Sequence, residues 1–435
     1  MKHTIFLILL VFISSMGFSQ FQVDAEIRSR YEYRDGYKKL PTDETNANQL
    51  VGQRSRLIFS YQKEKLKMKV SVQDARIWGE SQYRTDNNVM DVFEAWAKYN
   101  FNEQIALKVG RQVLKYDDQR LFCTANWRHF AQSFDLALLQ FADKGLALKI
   151  DAGFGLNNNA SAEMSPWLED YDLRNTSNKN LAYLWVNKKF ADNRFNVSLM
   201  NVLDGHQKQD EIDTAGMAVS FPDKIKYRFT TGPYLKYKTG PFSVEGAFYY
   251  QTGKNSSDQD ISANFYSIKA SYKVADPFSL FAGYDHYSGT DFTDTTNTTD
   301  NTFNNLFGPG HKFLGYMDYF GKPYKHGSGI NDIFAGTNLK VLKKNKIKVI
   351  YHIFSLDKGA LKSGAEVNKN LGSEIDIVYS RKLHKAVSVK LGYSFMFASE
   401  TMEKLKGVEA GKSNFPHFGY ISINFPPTLF KQKPE

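Results

Sequence analysis

Seven arginines in four short stretches are the residues whose types and spacing point most directly to chemistry. The stretches read EIRSR, GQRSR, VQDAR and GRQVLKYDDQR, and the last also contains two adjacent aspartates. A guanidinium group is planar and binds a carboxylate or sulfate through two parallel hydrogen bonds, so a row of them could pass an anion between weak sites. The same groups could instead form ion pairs that cross-link the folded chain. The candidate site residues are Arg28, Arg30, Arg54, Arg56, Arg76, Glu94, Lys98, Arg111, Asp117, Asp118 and Arg120.

The first pair of arginines lies in a stretch that alternates strictly, which indicates a β-strand. Residues 22–35 read QVDAEIRSRYEYRD. One face holds apolar, small and tyrosine side chains, namely Val23, Ala25, Ile27, Ser29, Tyr31 and Tyr33. The other face is charged throughout and consists of Asp24, Glu26, Arg28, Arg30, Glu32 and Arg34. Such a strand is typical of a barrel wall that separates lipid from an aqueous lumen.

Alternating segments recur along the chain and predict an all-β fold, a transmembrane antiparallel β-barrel of about eighteen strands. Tight turns and long loops alternate between the segments, as expected for short periplasmic turns and long extracellular loops. No apolar stretch has the length of a membrane-spanning helix, and an open sheet edge is not tolerated in lipid. The alternative of secreted β-sandwiches would show linkers and no alternation of loop length. The segments start near residues 20, 49, 66, 89, 105, 134, 146, 181, 195, 227, 242, 261, 278, 332, 347, 373, 387 and 417.

Alternation also assigns the two faces of the segment that starts near residue 89. Phe93 and Tyr99 fall on the lipid face, whereas Glu94, Trp96 and Lys98 fall on the lumen face. The segment therefore contributes both charges and an indole ring to the predicted lumen.

The alternation of lipid-facing and lumen-facing residues fails in the segment that starts near residue 66. Its apolar residues from Met68 to Val72 share parity with Asp74 and Arg76. A bulge, or the end of the lipid face, is predicted near Gln73, because bulges re-aim side chains at barrel rims.

The alternation also fails in the stretch GRQVLKYDDQRL. Its apolar face ends at Gly110, where we predict a kink or bulge that turns Arg111 and Arg120 toward the pore or the outer rim. Asp117 and Asp118 are then expected to hold these arginines in place.

The N-terminal residues fit an exported protein. Residues 1–19 have a positive Lys2, a short apolar core and small residues before Gln20, which predicts a cleaved secretory signal peptide. Residues 20–435 contain no visible linker and are expected to form one barrel. The formal net charge of +10 would favour anions if it lined a lumen, whereas nucleic-acid binding is not expected of an exported protein. The expected partners are outer-membrane lipid and a small anionic or saccharide solute, with the barrel a monomer.

The connection at residues 288–331 is too long for a plain loop. Its first half is rich in Asp, Asn and Thr but lacks the spacing of a known calcium loop. Its aromatic half, which includes Phe303, Phe313 and Tyr319, is expected to fold into the barrel mouth as a constriction or to contact sugar rings.

Motifs for catalysis are missing from the sequence. The nine histidines are scattered, with no HExxH zinc motif and no G-x-S-x-G elbow. A glycosidase pair such as Asp74 and Glu94 is weak evidence, since carboxylates are expected in any barrel lumen. The sequence therefore predicts a protein that is not an enzyme, with no cofactor and no metal site.

Six segments resemble the alginate export family of outer-membrane proteins. They read EIRSRYEYRDG, GQRSRLIFSYQ, VQDARIWGE, FEAWAKYNF, GRQVLKYDDQRL and FAGYDHYSGTD, and the similarity is densest between residues 26 and 157. The resemblance implies an eighteen-stranded monomeric barrel with an arginine-rich, electropositive lumen for a uronate polysaccharide. The resemblance also implies that the arginines of the matching motifs face the lumen. They are Arg28, Arg30, Arg54, Arg56, Arg76, Arg111 and Arg120.

Taken together, these features predict an outer-membrane channel for diffusion or export of anionic or polar solutes, with acidic oligo- or polysaccharides as one class. The alternative is a plugged barrel that serves as a surface binding or anchoring protein. The two differ in conductance.

Overall fold

The described chain folds into a closed antiparallel barrel. The computed structural model describes residues 20–80, 90–157, 179–206, 225–321, 327–342 and 344–432. Within these residues, eighteen strands surround one lumen, which confirms the predicted fold class. Each predicted strand start lies within three residues of an observed one. The predicted signal peptide lies outside the described residues.

The strands of the wall follow one another around the barrel in chain order. They are β1 (Gln20–Asp35), β2 (Asn48–Lys63), β3 (Leu66–Ile77), β4 (Met90–Asn100), β5 (Ile105–Gln112), β6 (Phe134–Asp143), β7 (Leu148–Leu156), β8 (Asn180–Phe190), β9 (Phe195–His206), β10 (Lys226–Thr239), β11 (Phe242–Lys254), β12 (Asp260–Ala275), β13 (Phe278–Tyr287), β14 (Ile330–Val341), β15 (Asn345–Leu356), β18 (Asn370–His384), β19 (Val387–Ala398) and β20 (His417–Phe425). Three small elements lie outside the wall, namely β16 (Leu361–Lys362) and β17 (Ala365–Glu366), which form a hairpin, and helix α1 (Glu400–Lys406). The last element, β21 (Thr428–Lys431), continues β20 along β1.

The first and last wall strands close the sheet. On one side β1 pairs with β2, with Arg28 opposite Arg54, and on the other side it pairs with β20, with Ile27 opposite Phe425. Closure satisfies the backbone groups that an open edge would expose to lipid. Among the described residues, no helix is long and apolar enough to cross a membrane.

The two faces of the wall differ as alternation predicted. Ile268 is 55% exposed on the outer face, whereas its neighbour Lys269 faces inward. Val109 and Tyr393 are likewise exposed apolar residues on strands whose other face is polar. The outer face therefore suits lipid contact.

Two loops fold into the barrel and build a hydrophobic core inside it. We call residues 113–133 loop A and residues 288–321 loop B. Phe122 of loop A and Met317 of loop B are fully buried, as is Phe265 of the wall. The loops also contact one another, since the ring of Phe122 stacks on that of Phe307 with centroids 5.2 Å apart. Together they fill part of the extracellular half of the lumen.

Candidate functional site: the constricted lumen

Three of the predicted lumen arginines, Arg28, Arg30 and Arg54, bind the backbone of loop A. Arg28 donates to the carbonyl oxygens of Asn126 (2.5 Å) and Arg128 (3.0 Å), and Arg30 donates to that of Trp127 (2.7 Å). The guanidinium of Arg30 also lies 3.6 Å from the centre of the Trp127 ring. These carbonyls belong to a loop without a ladder of its own, so the wall arginines satisfy acceptors that would otherwise be buried and unpaired.

Arg54 and Arg56 of β2 lie beside Arg28 and Arg30 of β1, and we call these four residues the arginine cradle. Arg54 is 1% exposed and donates to the side chains of Asn126 (2.9 Å) and Glu26 (2.7 Å). Arg56 donates to Gln73 at 2.8 Å and stacks on Phe93 at 3.6 Å. Arg28, Arg30, Arg54 and Arg56 therefore face inward. The first three hold loop A, whereas Arg56 contacts the wall residues Gln73 and Phe93.

The field of these arginines acts on His129 in loop A. Burial, followed by the positive charges of Arg30 and Arg28, lowers the pKa of His129 to about 3. His129 is therefore neutral at physiological pH, and it adds no charge to the cradle.

Arg120 of loop A docks against the opposite wall. It forms an ion pair with Asp285 at 2.7 Å and donates to the Tyr287 hydroxyl at 2.7 Å. Its guanidinium lies 3.4 Å from the ring centre of Phe313 in loop B. Arg120 thus joins loop A, loop B and β13 in one contact.

The two aspartates of loop A have separate partners. Asp118 accepts from the backbone N–H of Arg120 at 2.9 Å and pairs with its side chain at 3.3 Å, as the sequence predicted. Asp117 instead accepts from Trp185 (3.1 Å) and Ser198 (2.5 Å) on the wall. Burial raises the pKa of Asp117 to about 6. Neither aspartate holds Arg111, which pairs with Asp135 instead.

Arg111 lies on the outer face, which corrects its predicted place in the pore. It shares parity with the exposed Val109 and pairs with Asp135 at 3.2 Å, where the two side chains are 39% and 57% exposed. Gly110 has φ of +114°, and a Cβ there would collide with the carbonyl oxygen of Ala95. The bulge predicted at Gly110 is wrong, because β5 pairs with β4 and with β6 through this residue without a register shift. β5 ends two residues later, and the chain turns inward only in loop A.

Arg76 is also on the outer face. It keeps the parity of the exposed Met68 and Val70 and pairs with Asp74 at 2.7 Å. Of the two alternatives predicted near Gln73, the bulge is wrong, because β3 pairs with β2 without interruption. The other alternative, the end of the lipid face, is confirmed, because the charged Asp74 and Arg76 continue the outer face beyond Val72. The irregularity lies on β4 instead, between the pairs of Ser71 with Glu94 and Val72 with Val92.

The extra residue of that bulge is Phe93. It was predicted to face lipid, yet it is 6% exposed and lies under Arg56 on the inner side. Glu94 is also inward, pairs with Lys69 and accepts from the Trp96 indole at 3.1 Å. Lys98 faces the lumen and donates to Gln140 at 2.8 Å.

A buried glutamate on β18, which the sequence did not single out, anchors loop B. Glu374 is fully buried and accepts from the backbone N–H groups of Tyr316 (2.5 Å) and Met317 (2.8 Å). Gly315 has φ of +78°, and a Cβ there would collide with the Glu374 carboxylate. The close approach of loop B to the wall therefore requires glycine at this position.

A basic vestibule opens above loop A. The cavity measures about 1160 Å³ and lies between loops A and B and the loops that follow β1 and β19. Its acidic residues are Glu32, Glu80 and Asp318. Its basic residues are more numerous and comprise Arg30, Arg34, Lys38, Lys39, Arg128, Lys312 and Lys406, with the outward-facing Arg76 at its rim.

Lysines, rather than arginines, face the lumen in the periplasmic half of the wall. Each has the inward parity of its strand, because the exposed apolar residues of these strands, such as Leu235, Ile268 and Leu391, have the opposite parity. Alternation placed Lys98 on the lumen face, and the same rule applied to the other strands could have located the rest. These inward lysines include Lys67, Lys69, Lys98, Lys108, Lys149, Lys236, Lys269, Lys346, Lys348 and Lys390.

Carboxylates on this face are fewer and already engaged. Glu245 binds Lys269 (3.1 Å) and Lys236 (3.3 Å), and Asp151 accepts from the Tyr116 hydroxyl at 2.9 Å. Within the described residues, no group of histidine, cysteine or acidic side chains is placed to hold a metal ion. The described lumen is therefore biased toward positive charge.

A closed barrel with infolded loops and a charged lumen defines a porin-like outer-membrane protein. The sequence model for alginate export matches residues 19–415, so the chain belongs to the alginate export family and to the outer membrane of a Gram-negative cell. The family comprises porin-like channels rather than enzymes. No curated protein sequence matches the chain.

Solved structures with a similar fold are outer-membrane proteins of Pseudomonas aeruginosa. OpdK has a TM-score of 0.60 at 11% identity, over 95% of this chain and 100% of that one. OccK11 (OpdR) has a TM-score of 0.60 at 12% identity, over 94% and 96%. OpdK with vanillate has a TM-score of 0.57 at 12% identity, over 95% and 100%. At these identities the likeness concerns the fold.

Proposed function

We propose that this barrel is a passive channel for anionic solutes, and that lysines of the periplasmic half set its preference. The observation that carries the proposal is the excess of inward lysines over inward carboxylates. Charges that line a confined passage focus the potential and raise the local concentration of counter-ions. Lysine presents a compact, hydrated charge, which favours weak binding and release.

The constriction bears on the size of the solute. Loops A and B occupy the extracellular half, so the passage suits small or extended solutes. A uronate chain is the extended candidate because of the family, and a small carboxylate is the compact one. OpdK was solved with vanillate, a carboxylate, which makes small carboxylates worth testing here.

The purified full-length chain, refolded and inserted into planar bilayers, is expected to give stable, discrete conductance steps. Deleting residues 303–320 of loop B behind a short glycine linker should enlarge the steps, because this segment fills the lumen. A heat-unfolded sample in the same detergent is the control. Silence of both the wild type and the deletion variant would contradict a channel and support the plugged barrel.

A further inference from the structure

Three lysines on the lumen wall stand directly opposite one another across three strands. Lys67 of β3 is the register partner of Lys98 of β4, and Lys98 is the partner of Lys108 of β5. Register partners project from the same face, and all three side chains point inward, because Met68, Tyr99 and Val109 on the other face are exposed. Adjacent strands lie about 4.8 Å apart, so the row presents three positive charges at that interval.

Such a row is unfavourable on its own. Like charges directly opposite in an antiparallel sheet destabilise the pair. No carboxylate lies within 4.0 Å of any of these three ammonium groups among the described residues. Lys98 donates only to the neutral amide of Gln140, and Lys108 lies 4.1 Å from the centre of the Trp96 ring.

The neighbouring acids do not neutralise the row. Glu94 is 6% exposed and engaged by Lys69 and by the Trp96 indole. Asp151 accepts from Tyr116 and from Gln140. Both acids are therefore committed to the wall, and the charge of the row remains for a solute.

We propose that Lys67, Lys98 and Lys108 form a binding subsite for small di- or tricarboxylates on their way through the lumen. The proposal rests on the proposed anion channel and names its substrate class. The carboxylates of a short diacid are separated by a distance similar to that between neighbouring strands, so each can bind between two ammonium groups. A monocarboxylate engages only one such position. The ring of Trp96, which contacts Lys108, keeps this ammonium group beside the carbon chain of the bound diacid.

The test is conductance of the full-length channel in a concentration series of potassium succinate and of potassium acetate. Wild type is expected to saturate with succinate at a concentration about tenfold below that for acetate, as one additional charge-assisted hydrogen bond would produce. Lys98→Met keeps the apolar stem and removes the charge, and should raise the saturating succinate concentration about tenfold. If Lys98→Met does not refold, Lys67→Met serves as the second variant.

Lys390→Met is the matched control. Lys390 is an inward lysine of β19 whose register partners are Ser380 and Ser422, so it has no like charge opposite. Equal behaviour of succinate and acetate in an anion-preferring wild type would overturn the subsite and leave the channel proposal standing. Equal shifts in Lys98→Met and Lys390→Met would also overturn it. A wild-type channel without anion preference would instead contradict the proposed function itself.

Discussion

Replacing Arg120 with methionine is expected to lower the free energy of unfolding by about 3–5 kcal/mol. The variant leaves the Asp285 carboxylate, which is 2% exposed, without its cationic partner inside the barrel. It also removes the guanidinium that stacks on Phe313 and so joins the two infolded loops. Urea unfolding in lipid or detergent, followed by tryptophan fluorescence, measures the loss.

Two further variants separate a buried pair from a general effect of charge removal. Arg111→Met breaks a pair that is 39% and 57% exposed, and should change stability by less than about 1 kcal/mol. Arg120→Met combined with Asp285→Leu should recover part of the loss, because the orphan charge is gone. Equal losses in Arg120→Met and Arg111→Met would contradict the structure at this contact.

Replacing Glu374 with alanine is expected to release loop B from the wall. Two hydrogen bonds from backbone N–H groups to one carboxyl oxygen are lost, which weakens the attachment of loop B by roughly 1–3 kcal/mol. A loosened loop should give larger and noisier conductance steps, since Phe303, Met317 and Tyr319 then leave the lumen core part of the time. Single-channel recordings in planar bilayers measure both properties.

The conservative variant distinguishes the anchor from a packing effect. Glu374→Gln keeps an acceptor oxygen and should have a smaller effect than Glu374→Ala. Glu366→Ala, at an exposed position of β17 outside the barrel wall, should behave like the wild type. If Glu374→Ala has the conductance and noise of the wild type, loop B is held by other contacts.

Alternation predicted the strands because the two faces of a strand are encoded locally, two residues at a time. The contacts of the arginines could not be predicted this way, since Arg28 binds Asn126 at 98 positions' separation and Arg120 binds Asp285 at 165. The stretch around Arg120 therefore resembled a failing strand, whereas it is a loop stabilised by the wall.

The misplaced arginines have a different cause. Arg76 was turned inward because a bulge was assigned to β3, while the extra residue, Phe93, lies on β4. Bulges add one residue to one strand of a pair, and parity alone cannot tell which strand carries it. Parity does reveal the row of Lys67, Lys98 and Lys108 once the pairing of β3, β4 and β5 is known.

The reversal potential of the full-length channel in a gradient of potassium chloride tests the central claim most directly. In the wild type we predict a reversal potential whose sign corresponds to preferred passage of chloride. Replacing Lys98, Lys269 and Lys348 together by methionine should clearly reduce that preference. Arg111→Met should retain the wild-type value, since Arg111 lies on the outer face. Equal passage of potassium and chloride in wild type, or an unchanged preference in the lysine variant, would contradict the account.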